Sequence, residues 1–220
     1  LRDGYGMTEN FIHGIGWTKD DQPISGCVGQ PMDDSIQVRL SDSGEIQFKS
    51  KGLMKGYYLN PEKTEEVFED GWYCTGDSGK IDEDGNFWVT GRISEVFKTS
   101  KGKFIVPMKL ESLFGRNHNL AQFCCMGHGL DQPIILVTLS EVGLTRDREQ
   151  LRGELENLLD EINAEVPSYE RISHLFVTDE WTIENALLTP TMKLKRKQIE
   201  DQYRDLVARH TGDGRVAFLD

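Results

Sequence analysis

Four short motifs in this 220-residue chain carry residue types that could do chemistry. In the first, residues 4–9, the glycines on either side of Tyr5 let the backbone approach a ligand closely, Thr8 offers a hydroxyl group and Glu9 offers a hard oxygen ligand. This combination suits a nucleotide that carries Mg²⁺. A surface turn followed by a helix would use the same residues, so the motif by itself leaves both interpretations open.

The second motif, residues 71–79, is centred on Asp77. An ionised aspartate can accept hydrogen bonds from both hydroxyl groups of a ribose, and a nucleotide site needs that side chain at the rigid end of a strand. A tight turn would use the same residue types. Asp77 is therefore a candidate ribose ligand, with a purely structural turn as the alternative.

Two further motifs follow. Residues 91–107 predict a hairpin with its tip at 100–103, where Gly102 permits a sharp turn. Residues 188–197 form a cationic segment in an acidic chain, and Lys193 on this loop could meet a polyanion and the charge that develops in a transition state. The alternatives are an ordinary surface hairpin whose lysines keep its edge soluble, and a solvated basic face.

Short strands and striped helices must position these motifs. Before Arg92, alternating apolar and polar residues between turns predict antiparallel strands at 36–40, 45–49 and 86–90, in a small barrel or sandwich. After Arg92, the pattern predicts alternating strands and helices. The strands are expected at 123–126, 134–139 and 173–178. Of the three helices, one starts at Pro107, one covers 147–166, and the last carries Ile199, Tyr203 and Leu206 on one face. We expect the Gly-rich tail after His210 to fray.

Charge and composition narrow the function classes. The chain has 25 Lys plus Arg against 37 Asp plus Glu, and its net charge of −12 repels phosphate backbones, so we expect no nucleic-acid partner. No apolar run approaches the roughly 20 residues of a membrane helix and the first residues lack a signal-peptide core, so we expect a cytoplasmic protein with no transmembrane segment. The chain starts at Leu1, directly before the first motif, which predicts that it was cut from a longer protein.

The order of these motifs resembles that of the adenylate-forming superfamily, which holds acyl-CoA synthetases, luciferases and the adenylation domains of peptide synthetases. Residues 99–107 and 188–196 look most like long-chain fatty acyl-CoA synthetases, since Met192 and Lys193 replace the Ser-Gly-Lys sequence usual in luciferases and peptide-synthetase domains. The matching elements span Leu1 to about Tyr203: YGMTE at 5–9, GQP at 29–31, GEI at 44–46, MKGYY at 54–58, NPE at 60–62, TGD at 75–77, GR at 91–92 and PTMK at 190–193.

The resemblance implies an α+β fold in two parts. Residues 1–91 would be the end of the large adenylate-forming domain, an antiparallel β-barrel remnant, and residues 92–220 a small mobile α/β carboxy-terminal domain. Gly91 would be the hinge between them.

It also implies the carboxy-terminal portion of a long-chain fatty acid–CoA ligase. Such an enzyme makes acyl-AMP from a fatty acid and ATP with Mg²⁺, and then passes the acyl group to coenzyme A. In the first step, Lys193 would bridge the substrate carboxylate and the α-phosphate. In the second step, the hairpin around Gly102 would be presented to form the tunnel for the pantetheine arm.

The resemblance assigns the nucleotide contacts to the first two motifs and Arg92. Tyr5 would stack on adenine where Gly6 leaves room, Thr8 would contact the phosphate and Glu9 would help to hold Mg²⁺. Asp77 and Arg92 would bind the ribose hydroxyl groups.

Two alternatives for the function stay open at this point. The family carries a phosphate loop and an acyl pocket upstream of the first motif, and neither is found in this chain, so we expect the chain alone to be inactive. The acyl acceptor could be a carrier protein, as in fatty acyl-AMP ligases, or the chain could be a noncatalytic interaction module. Peripheral membrane contact of the full-length protein is compatible with the sequence.

Overall fold

The computed structural model describes residues 2–11, 14–18, 21–210 and 214–219. Leu1, on which the expectation of a longer parent protein depends, lies outside the described residues. The chain divides into two compact units, Leu1–Glu95 and Val96–Asp220, which are described separately here. The predicted boundary after Gly91, and the domain roles attached to it, stay predictions.

The amino-terminal unit is built from antiparallel strands with one short helix. Its strands are β1 (Ile15–Gly16), β2 (Gln30–Pro31), β3 (Gln37–Leu40), β4 (Glu45–Lys49), β5 (Phe68–Glu69), β6 (Trp72–Ile81) and β7 (Phe87–Arg92), and its helix is α1 (Pro61–Glu66). The main sheet has the order β3-β4-β6-β5, and β7 also pairs with β6. Strands β1 and β2 form a separate pair.

The core of this unit lies under the main sheet. Alternation at period two sends Ile46 and Phe48 of β4 inward, where both are fully buried beside Phe87 of β7. The β6–β7 ladder contains a register irregularity between Ser78 and Gly79. Beyond it, the ladder sets Asp77 opposite Arg92. The long-range pairing of these two strands therefore brings two of the predicted site residues together.

The carboxy-terminal unit alternates strands and helices. Its elements are β8 (Phe97–Lys98), β9 (Phe104–Ile105), α2 (Pro107–Phe114), β10 (Leu120–Met126), β11 (Ile134–Leu139), α3 (Glu141–Leu144), α4 (Arg148–Glu165), β12 (Leu175–Thr178), α5 (Arg196–His210) and β13 (Val216–Phe218). Strands β8 and β9 form the predicted hairpin. The other four make a sheet of order β10-β11-β12-β13.

Two apolar clusters stabilise this unit. Helix α4 begins where the Asp147 side chain accepts hydrogen bonds from two backbone amides of its first turn, and its stripe from Leu151 to Ile162 is buried against the sheet. Helix α5 buries Ile199 and Tyr203 in the second cluster, which also contains Leu188. Each fully buried aliphatic side chain contributes about 1.5–3 kcal/mol. The segment that carries Lys193 is thus attached to the core at both ends.

The α+β fold class is confirmed, with a curled antiparallel sheet followed by an α/β unit. The predicted strands and helices are found at their expected places, within a few residues at the ends. The expected fraying after His210 is wrong for residues 216–218, because they form β13, which pairs in parallel with β12 and buries Val216. Residues 211–213 lie outside the described part of the chain.

Candidate functional site

Three predicted site residues meet in the amino-terminal unit, in what we call the ribose cluster: Tyr5, Asp77 and Arg92. The Arg92 Nε atom lies 3.0 Å from Asp77 Oδ1, and its Nη1 atom donates to the Thr75 carbonyl at 3.1 Å. The Tyr5 hydroxyl donates to Asp77 Oδ2 at 2.5 Å, across 72 residues of sequence. Both carboxylate oxygens of Asp77 are therefore engaged, and each has a lone pair left to accept a further donor.

The three side chains of this cluster differ in their burial. The side chain of Asp77 is 15% exposed and that of Arg92 is 45% exposed, so one side of the ion pair faces solvent. Gly76 adopts a φ of +74°, and a Cβ atom there would lie 3.3 Å from Arg92 Nη1. Burial and the hydrogen bond to Asp77 raise the pKa of Tyr5 well above its usual value, so its hydroxyl stays protonated and continues to donate.

The Tyr5 ring packs on the core, with its centroid 5.9 Å from that of Phe48 and an interplanar angle of 28°. This contact uses one face of the ring and half-buries the residue. Gly6 beside it is exposed. The predicted stacking of Tyr5 on adenine stays a prediction, and it would have to use the remaining ring surface.

Thr8 and Glu9 lie in a single 3₁₀ turn, Thr8–Asn10, which brings an exposed hydroxyl next to a half-exposed carboxylate. The Tyr57 hydroxyl donates to Glu9 Oε1 at 3.0 Å and lies 3.4 Å from the Tyr73 hydroxyl. Among the described residues there is no cluster of three or more His, Cys, Asp or Glu side chains that could enclose a metal. A single carboxylate still fits Mg²⁺, which is usually held by one or two carboxylates together with substrate phosphates and waters.

Gly91 and Gly102 lie in different settings. Gly91 is buried inside β7, where it is paired with Ser78, and the Ser78 hydroxyl donates to its carbonyl at 3.2 Å. Gly102 occupies the exposed hairpin tip at a φ of +77°, a conformation that favours glycine. Its amide donates to the Thr99 carbonyl at 2.9 Å and closes the tip. The hinge and tunnel roles of these glycines stay predictions.

Lys193 lies on a tight turn of the carboxy-terminal unit, which we call the lysine turn (residues 189–193). The Thr189 amide donates to the Lys193 carbonyl at 2.8 Å, and the Lys193 amide donates to the Thr189 hydroxyl at 3.0 Å. Met192 takes a left-handed φ of 61° to complete the turn. The Lys193 side chain is exposed, and it forms no ion pair within the part of the chain that the structure describes.

Sequence reasoning gave no role to three residues: Tyr57, which contacts Glu9, and the ion pair of Arg196 with Glu111, which follows the lysine turn. Tyr57 lies in the MKGYY element at 54–58, and its hydroxyl group was the feature from which a role could have been predicted. Arg196 was part of the cationic segment without a role of its own. Glu111 gave no signal beyond being a polar position between Leu110 and Leu113, and its partner Arg196 is 85 residues away in sequence.

Fold and sequence together define a protein of the adenylate-forming class. Residues 95–211, more than half of the 220-residue chain, match the AMP-binding enzyme C-terminal domain family, and the chain belongs to this family. No helix in the described ranges has the length and apolar character needed to cross a bilayer.

Similar proteins point to the same class. Fatty acyl-CoA synthetase A of Dictyostelium discoideum is 28% identical, over 93% of this chain and 36% of its own length. Long-chain-fatty-acid–CoA ligase 5 of Mus musculus is 31% identical, over 90% of this chain and 33% of its own length. The A-PCP didomain of a carboxylic acid reductase from Segniliparus rugosus, solved in complex with AMP, is 26% identical with a TM-score of 0.72, over 97% of this chain and 31% of that one. The chain thus spans about a third of the length of the curated relatives it matches.

Proposed function

We propose that this chain is part of a long-chain fatty acid–CoA ligase that forms AMP. The names of the slime-mould and mouse relatives support the fatty acid and coenzyme A, and the AMP complex of the reductase supports the nucleotide. Because the chain spans about a third of these relatives, we propose that turnover requires the rest of such a protein. The chain alone would bind nucleotide weakly and would not convert ATP to AMP.

The proposed reaction has two half-reactions. In the first, a carboxylate oxygen of the fatty acid attacks the α-phosphorus of ATP, the bond to the bridging oxygen breaks, and pyrophosphate leaves. In the second, the thiol of coenzyme A attacks the acyl carbonyl carbon, loses its proton, and displaces AMP to give the thioester. The first step brings two anions together, so it needs a cation near the α-phosphate.

The observation that carries the proposal is the setting of Lys193. Its ammonium group is exposed on a turn whose backbone is closed by hydrogen bonds, and no described carboxylate is paired with it. A lysine held in a structural ion pair could not reach a substrate carboxylate and an α-phosphate. This lysine keeps its charge available, while the turn limits where the charge can go.

The ribose cluster supports the nucleotide half of the proposal. The remaining lone pairs of Asp77 would accept from the ribose hydroxyl groups, and the exposed face of Arg92 would donate to them. Tyr5 and Gly6 would border the adenine, Thr8 would contact the phosphate, and Glu9 would help to hold Mg²⁺. The magnesium would supply charge neutralisation of the phosphates when bound.

For the second step we propose that residues 92–220 act as a mobile domain with Gly91 as the hinge and the Gly102 hairpin as the segment presented to coenzyme A. Motion at Gly91 would have to disturb its pairing with Ser78 at the end of the β6–β7 ladder. The A-PCP didomain favours a carrier protein as the alternative acceptor. A noncatalytic interaction module is the remaining alternative, and it predicts no fatty-acid-dependent release of pyrophosphate.

The test is a coupled pyrophosphate assay on the full-length gene product, with a panel of fatty acids and with or without coenzyme A. Lys193→Ala should slow acyl-adenylate formation by about 10²–10³-fold, the usual cost of losing one preorganised charge donor. Thioester formation from supplied acyl-AMP should survive. Lys197→Ala, an exposed lysine of the same basic segment, is the matched control and should leave both steps unchanged. An unchanged rate of pyrophosphate release in Lys193→Ala would reject the role of this lysine.

A further inference from the structure

The lysine turn is followed at once by an ion pair that reaches across the carboxy-terminal unit. Arg196, the first residue of α5, donates from Nη1 to Glu111 Oε1 at 2.6 Å and from Nη2 to Glu111 Oε2 at 2.7 Å. Glu111 lies on α2, so this two-pronged contact joins two helices. We call it the Glu111–Arg196 clamp.

The clamp is shielded from solvent and fixed by a third partner. The side chains of Arg196 and Glu111 are only 18% and 12% exposed, and the Cys125 amide of β10 donates to Glu111 Oε1 at 2.7 Å. A two-pronged contact between a guanidinium and a carboxylate fixes orientation as well as distance. By contrast, Arg204 of the same helix pairs with Asp201 while both side chains are more than half exposed. Of these two ion pairs of α5, the clamp is the one that is shielded from solvent and fixed in orientation.

The other end of the lysine turn is also attached. Leu188 is buried and forms an isolated β-bridge with Leu194, and the Lys195 amide donates to the Leu187 carbonyl at 2.9 Å. Lys193 therefore lies on the loop that the Leu188–Leu194 bridge closes, and the clamp begins two residues after this bridge. Without the clamp, the start of α5 would lose its two-pronged attachment to Glu111 of α2, and the exposed turn would have more freedom.

We infer that Glu111 and Arg196 are positioning residues for the adenylation step, because they fix the place from which Lys193 delivers its charge. This inference rests on the proposed function. It assigns no contact with substrate to either residue. Lysine cannot replace Arg196, because an ammonium group lacks the planar fork that engages both carboxylate oxygens.

The test is Arg196→Lys in the full-length gene product, with Arg204→Lys as the matched control on the same helix. Arg196→Lys should lower kcat for pyrophosphate release by about 10–100-fold, since a misplacement of about 1 Å can cost about 100-fold. The KM values for ATP and fatty acid should change little, and thioester formation from supplied acyl-AMP should keep its rate. Arg204→Lys should leave both half-reactions unchanged.

Hydrogen exchange separates this inference from the proposed function. In Arg196→Lys, the amides of residues 187–195 should exchange faster, while those of the α4 stripe keep their protection. If Lys193→Ala leaves pyrophosphate release unchanged, the proposed function loses its lysine, and the exchange data still decide whether the clamp orders the turn. Unaltered exchange at 187–195 in Arg196→Lys would overturn the inference.

Glu111→Gln provides a second variant in case Arg196→Lys folds poorly. It keeps an oxygen for the Cys125 amide and removes the second charged acceptor, so it should reproduce the selective loss of adenylation. In the double variant, the loss should be smaller than the product of the two single losses, because both remove one interaction. Equal loss of both half-reactions, together with a lowered melting temperature, would show a merely structural pair and refute the positioning role.

Discussion

Asp77→Asn tests the ribose cluster most directly, because the same carboxylate contributes to folding and to the proposed nucleotide site. Hydrogen bonds to a charged group contribute about 1.5–3 kcal/mol and neutral ones about 0.5–1.5 kcal/mol. Asparagine would leave one neutral acceptor where the carboxylate offers two charged ones. We expect AMP affinity to fall by about 2–3 kcal/mol, which is about 30–140-fold at 1.4 kcal/mol per tenfold.

The same substitution should cost much less in folding. Because Arg92 is 45% exposed, solvent screens its pairing with Asp77 and limits that contribution to about 0–1 kcal/mol. The Tyr5 hydroxyl can still donate to the asparagine oxygen, at a loss of about 1 kcal/mol. The free energy of unfolding should drop by about 1–2 kcal/mol, and at about 2–4 °C per kcal/mol for a protein of 150–250 residues the melting temperature should drop by about 2–8 °C at most.

Calorimetric titration of AMP into the full-length gene product gives the affinity, and thermal unfolding followed by circular dichroism gives the stability. Asp82→Asn is the matched control, because Asp82 also accepts a side-chain hydrogen bond, from Asn86 at 2.9 Å, at the β6–β7 turn. It should lower stability without altering AMP affinity. If Asp77→Asn weakens AMP binding less than threefold, the assignment of Asp77 to the ribose is refuted.

Two further predictions concern the tyrosines of the same unit. Tyr57→Phe removes the hydrogen-bond donor to Glu9 Oε1, so the Mg²⁺ concentration needed for half-maximal pyrophosphate release should shift by several-fold. The affinity for AMP without Mg²⁺, measured by titration, should stay unchanged. An unshifted Mg²⁺ curve would contradict the role of Glu9. Burial, followed by hydrogen bonding to Tyr57, raises the pKa of Tyr73. The unfolded chain therefore releases this proton near pH 10, before the folded chain does, and the free energy of unfolding should fall as pH rises from 9 to 11. In Tyr73→Phe, this fall with pH should be less steep. Equal pH slopes of the unfolding free energy in urea titrations would rule out this linkage.

The sequence predicted most of the fold because local patterns specify its elements. The apolar stripe of α4 can be recognised in the sequence because residues three and four apart share a helical face, and the Asp147 cap marks where the helix begins. Strands β3 and β4 can be predicted from the sequence because apolar and polar residues alternate along them. Strand β13 was missed, because three residues after a Gly-containing tail carry too little pattern, and only its pairing with β12 makes it a strand.

The candidate site divides in the same way. The sequence alone determined which residue types were available: a carboxylate in a glycine turn, a lysine on a basic loop, and a motif order that belongs to a known family. Only the tertiary structure decided that Arg92 and the Tyr5 hydroxyl both contact the Asp77 carboxylate. The same holds for the ion pair between Arg196 and Glu111. Such contacts depend on strand register and helix packing over distances of up to 85 residues, which no local propensity encodes.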